Sequence, residues 1–120
     1  MGRHTDHEMQ LTSLDAWYQD ILPSLHTRQW KVLRAIRDMT IHGQPPTDME
    51  IARCLGYADP NRVRPRRKEL ADGQLIIPAG KRPCSVTGKT AMTWRVHPAY
   101  EDRVTKRIRI LEQQEEAMRP

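Results

Sequence analysis

Phenylalanine is absent from this chain, and three Trp and three Tyr are its only aromatic residues among 120. A core must therefore come mostly from Leu, Ile, Val, Met and the three Trp, which suits a small helical or α+β module better than a large enzyme cleft. Cysteine is almost as scarce. Cys54 and Cys84 have a spacing that fits neither a zinc site nor a redox motif, and both are expected to be reduced thiols. No run approaches the roughly 18 apolar residues of a membrane span. Met1 to Gln10 is polar, unlike the basic and then apolar start of a signal peptide, so the chain reads as cytoplasmic with no membrane partner. Neither internal repeats nor low-complexity tracts occur, and the length leaves room for one domain.

Charge is what the chain has in excess. Lys and Arg number 20 against 15 Asp and Glu, giving a formal +5 and a pI near 9.6. Such a balance favours polyanionic partners, because each cation set on a phosphate releases condensed counterions. Its distribution says more than its sum. Between residues 59 and 89 stand Arg62, Arg64, Arg66, Arg67, Lys68, Lys81, Arg82 and Lys89, opposed only by Asp59, Glu69 and Asp72.

Periodicity divides the chain into a polar tail with a short amphipathic helix (1–24), a central domain (25–98) and a terminal helix (99–120). Leu14, Trp17, Tyr18, Ile21 and Leu22 recur at helical spacing after Ser13, and Pro23 ends that run. A second helix is expected from His26 or Thr27 to Met39, with Trp30, Leu33, Ile36 and Met39 inward and Arg28, Lys31, Arg34 and Arg37 toward solvent. Gly43, Pro45 and Pro46 stop it. Thr47 and Glu50 form a capping box, so a helix should begin at Asp48, turn Ile51, Ala52 and Leu55 inward, and end at Gly56. Pro65 is tolerable only in a first turn, which sets the N-cap of the next helix at Asn61 or Arg62. That helix closes at Asp72-Gly73. Leu75 to Pro78 reads as a strand, 79–90 as a loop, and Thr90 to His97 as an alternating, half-buried strand that completes a hairpin. Tyr100 to Met118 is a charged helix with Val104, Ile108, Leu111 and Met118 along one stripe. It is suited equally to packing on its own domain and to pairing with a second copy.

The order helix, capped helix, turn, basic helix, hairpin resembles the winged helix-turn-helix family, MarR-like and small phage-type proteins in particular. The resemblance covers about residues 25–97. It rests on Thr47 to Gly56 as second helix and turn, Asn61 to Ile76 as recognition helix and first wing strand, and Val86 to Lys89 with Trp94 to Val96 as the wing. It implies an α+β fold, mostly helical, with a two-stranded wing and flanking terminal helices. It also implies a double-stranded DNA partner. Helix 61–71 would read the major groove, with Asn61, Arg62, Arg64 and Lys68 foremost and Arg66 and Arg67 beside them. The wing at 79–90 would meet backbone or minor groove through Lys81, Arg82, Thr87 and Lys89. Asn61 can read adenine if capping does not consume its side chain, and Arg66 can instead bridge to Glu69. One position departs from the pattern: Arg67 stands where such helices carry an apolar residue facing the core, so either its stem packs with the guanidinium outward or the helix is rotated.

The expected function is that of a transcriptional regulator of phage or mobile-element type, acting by occupancy and without catalysis, cofactor or metal. Homodimerisation through the terminal helices accompanies that reading. Two rivals stand beside it: a protein-interaction module that binds or inhibits a host or replication nucleic-acid complex through Trp17, Tyr18 and the terminal helices, and a DNA-binding component of replication or packaging machinery. Gly88-Lys89-Thr90 echoes a P-loop, but Pro83 replaces the required glycine and a strand follows where a helix is needed. His4 and His7 have an H-x-x-H spacing that could ligate a metal but read as a solvated tail, and Cys54, Cys84, His42 and His97 are scattered over a helix, loops and a strand end rather than set as a metal site.

Overall fold

A computed structural model describes residues 25–118 of the chain, so the expected helix at 13–22, with Trp17 and Tyr18, lies outside the described residues. The architecture is α+β and mostly helical, with four α-helices and one two-stranded antiparallel hairpin among the described residues.

Helix α1 spans Thr27–His42. It opens on a capping box in which His26 Nδ1 accepts from the Gln29 amide and Gln29 Oε1 accepts from the His26 amide. Val32, Leu33, Ala35 and Ile36 are its buried face, while Trp30 and Met39 are only half-buried. The helix outruns its expected end at Met39 by three residues before Gly43 and the two prolines stop it.

Helix α2 (Asp48–Cys54) begins where the Thr47–Glu50 spacing predicts. Thr47 Oγ1 accepts from the Glu50 amide at 3.3 Å and Glu50 Oε1 accepts from the Thr47 amide at 3.0 Å. The helix terminates earlier than Gly56, in a Schellman turn. The Tyr57 amide donates to Ala52 O at 2.8 Å and the Gly56 amide to Arg53 O at 3.1 Å, with Gly56 at φ +82°. Ile51 and Ala52 are fully buried. Cys54 is exposed and Cys84 buried, and both are free thiols.

Helix α3 (Arg64–Asp72) starts later than Asn61 or Arg62. Pro60–Arg62 forms a separate 3-10 turn, capped by Asp59 Oδ1 accepting from the Asn61 amide, and Val63 is the residue that enters α3. Pro65 does occupy the first turn of α3, where its missing N–H costs nothing. Val63 and Leu70 anchor the helix in the core, and Gln74, at φ 63°, turns the chain into the hairpin.

Strands β1 (Ile76–Pro83) and β2 (Thr90–Val96) pair from Ile76 with Val96 to Pro83 with Thr90. The expected loop at 79–90 is therefore shorter: Lys81 and Arg82 belong to β1, and only residues 84–89 form the tip. Ala79 is passed over between the Pro78–Trp94 and Gly80–Thr93 pairs, a bulge that absorbs the positive φ of Gly80. Both strands of a two-stranded ribbon are edges, which is why Pro78 and Pro83 fit. The tip closes through Cys84 N to Lys89 O and Gly88 N to Cys84 O. The α1–α2 linker lies against the other edge of β2, with Trp94 N donating to Pro46 O and Thr47 bridging Thr93. With the linker alongside, Thr93 is buried as well as the core residues Trp94 and Val96, while Met92 is exposed.

A 3-10 turn at Pro98–Tyr100 leads into α4 (Glu101–Ala117). Tyr100, Val104 and Ile108 join the same buried cluster as Leu33, Ile51, Leu70 and Ile76, so α4 is spent on its own fold along that stripe. Met118, expected on the stripe, is exposed. Among the described residues no helix is long and apolar enough to cross a membrane.

Candidate functional site

The basic residues of 59–89 separate into two groups. One group is held by carboxylates and rings of the fold. Arg67 clasps Asp48, with Nε to Oδ1 and Nη2 to Oδ2 both at 2.9 Å, and its guanidinium lies 4.4 Å from the Trp94 ring centre. Half-buried between the first turn of α2 and strand β2, it ties three elements together, so the guanidinium at this unusual position is turned inward, with Nε and Nη2 both bonded to Asp48. Arg82 does the same on the hairpin. Nη1 reaches Glu50 Oε2 at 2.8 Å, Nη2 bonds Glu50 Oε1, and Nη2 also donates to Pro45 O at 2.8 Å. Arg66 sits against His26 Nε2 at 3.1 Å and Glu69 at 3.4 Å, the bridging role the sequence allows for it.

Glu50 is the hub of this network. At 5% exposure it accepts from Thr47 N, Arg82 and Ser85 N, so the residue that caps α2 also fastens the hairpin tip to it. The Arg82 guanidinium, helped by the Ser85 and Thr47 amides and opposed by burial, lowers its pKa from 4.5 to about 2. Beside it the Cys84 thiol meets Thr47 Oγ1 at 3.2 Å. Burial pushes that thiol up, but hydrogen bonds from Thr47 and the Thr87 and Val86 backbone together hold it below its ordinary value.

The other group faces water. Asn61, Arg64 and Lys68 are exposed along one side of the 3-10 turn and α3, at spacings of three and four residues. Arg64 Nη1 donates to Asn61 Oδ1 at 2.9 Å, so the Asn61 side chain is free of capping but engaged by a neighbour, and Arg64 Nε lies 3.9 Å from Asp48 Oδ2, the carboxylate that Arg67 holds more closely. Lys68 pairs with Asp72 at 3.1 Å, an ion pair of little energetic weight because both side chains are about two-thirds exposed. Arg62 is also exposed, its guanidinium 4.8 Å over the Tyr57 ring. On the hairpin Lys81, Thr87 and Lys89 are exposed, Thr87 Oγ1 accepting from the Lys89 amide.

No family model, curated protein or solved structure matches this chain. What the site can do thus follows from its geometry. Three residues of the site carry little signal in the sequence. Asp48 and Glu50 hide because their arginines are 19 and 32 residues away. Lys31, expected only to face solvent along with Arg28, joins Arg28, Asn61, Arg62, Pro65 and Arg66 in lining a cleft beside α3. Among the described residues no three His, Cys, Asp or Glu side chains gather as a metal-binding group.

Proposed function

We propose that the chain binds double-stranded DNA as a winged helix-turn-helix protein, with α2 and α3 as the helix pair and β1–β2 as the wing. The observation that carries this reading is the division of labour on α3. Arg67 is spent inward on Asp48 and Trp94, while Asn61 on the 3-10 turn and Arg64 and Lys68 on α3 are exposed, Arg64 keeping only a long 3.9 Å approach to Asp48; Val63 at the N-cap and Leu70 are fully buried. A rigid helix with one packed side and one cationic side fits the major groove, where Arg64 can meet guanine and Asn61 adenine. The linker's bridge to β2, which puts a third, one-residue strand beside the hairpin, suits a wing anchored to the body.

In this reading Arg67 and Arg82 set the posture of α3 and the wing and leave nucleic acid to others. Lys81, Thr87 and Lys89 serve the backbone or minor groove from the hairpin. Regulation of transcription, in a phage or mobile element, follows from occupancy of a site, without chemistry. The test is a fluorescence-anisotropy comparison of wild type with the Arg64→Ala, Lys68→Ala double variant on duplex DNA. Both side chains are exposed, so folding should be unaffected, while the slope of log affinity against log salt should fall by about 1 for each phosphate no longer neutralised. An unchanged slope and affinity would remove α3 from the interface.

A further inference from the structure

The cleft beside α3 is lined by charge of one sign. It has a volume of about 170 Å³ and lies between the first half of α1, the end of α2 and the start of α3. Its lining includes four cations, Arg28, Lys31, Arg62 and Arg66, and no carboxylate. We infer that this cleft is a binding site for a phosphate group, built from more than one element and reaching beyond the solvent face of α3.

Three features support the assignment. Arg28 and Lys31 are three residues apart on α1 and neither has an ion-pair partner among the described residues. Arg62 is oriented by stacking on Tyr57, itself in the lining, which sets a planar fork of donors at the rim rather than a freely moving charge. Of the carboxylates nearby, Asp59 caps the Asn61 amide and Glu69 pairs with Arg66 at 3.4 Å while accepting from Gln29 at 3.2 Å, which leaves the charges of Arg28, Lys31 and Arg62 uncompensated among the described residues. Like charges gathered in a concave site repel one another until an anion enters, and a phosphate oxyanion with several acceptor oxygens can meet three or four such donors together.

The phosphate could come from a DNA backbone flanking the groove contacts or from a free phosphorylated molecule. The first source rests on the DNA-binding reading; the second does not. Both are separated by one pair of measurements on wild type and an Arg28→Ala, Lys31→Ala variant of the full chain, whose changed side chains lie outside the core. Inorganic phosphate is titrated at constant ionic strength while amide shifts are followed by NMR, and duplex binding is measured at several salt concentrations. The expected result is saturable shifts at Tyr57, Asn61, Arg62 and Arg66, at least tenfold weaker in the variant, together with a salt slope lowered by about 1. Phosphate binding weakened in the variant, with equal salt slopes in the two proteins, assigns the cleft to a free ligand. Phosphate binding without any duplex binding removes the DNA reading and leaves the cleft standing. Shifts that are absent, or the same in both proteins, overturn the inference whatever the duplex does.

Discussion

Replacing Glu50 by Gln should be the most damaging single polar change in the fold. The side chain is 4% exposed and its partner Arg82 21%, so removing the charge strands a half-buried guanidinium in a site water enters poorly. A broken buried pair costs about 3–5 kcal/mol. The lowered pKa points the same way: a fall from 4.5 to about 2, owed first to Arg82, amounts to about 3 kcal/mol of native-state stabilisation, at about 1.36 kcal/mol per unit. Because the folded value is the depressed one, this contribution is complete above pH 4.5 and drains away as the pH falls from there toward 2. Urea denaturation monitored by Trp fluorescence measures both effects. With a slope of about 1–3 kcal/mol per molar, the Glu50→Gln midpoint should drop by at least about 1 M at pH 7. Its stability should also depend less on pH than wild type's between 4.5 and 2. Replacing Glu50 and Arg82 together by apolar residues should recover much of the loss. A loss under about 1 kcal/mol at pH 7, or parallel pH curves for the two proteins, would refute the role of this pair in clamping the hairpin to α2.

Arg67→Ala should destabilise by about 1–3 kcal/mol through its charge-assisted bonds to Asp48 and shift Trp94 emission, while the salt slope of duplex binding stays as in wild type. Gly56→Ala meets open space but holds a left-handed backbone, so chemical denaturation should register a cost of about 1–2 kcal/mol with no steric component. Ile108→Ala should cost about 2–5 kcal/mol in the same assay, because α4 fills the common core there; a near-neutral result would detach α4 from it.

What can be read in the sequence is local. The Thr47–Glu50 box, the breaks at Gly43 and Gly56 and the first-turn Pro65 are signals within four residues of their consequence, and each appears in the fold where chain chemistry demands it. Lys81 and Arg82 read as loop residues because Pro78, Gly80 and Pro83 punctuate the segment. A bulge and the open outer edge of β1 let that strand carry all three, a tertiary accommodation with no local mark. The start of α3 is displaced for a similar reason: the capping residue Asp59 serves a 3-10 turn, and the helix proper begins on buried Val63. Within the basic segment, sequence counts the cations but does not divide them, since Asp48 and Glu50 sit on a different helix. The one clue is Arg67 in an apolar position, and its partners across α2 and β2 account for it.

The most direct test of the central claim is an anisotropy titration of duplex DNA by the full chain at two salt concentrations, with duplex and single-stranded competitors. The expected result is duplex binding that weakens steeply as salt rises and is displaced better by duplex than by single strands. Absence of duplex binding at the lower salt would contradict it.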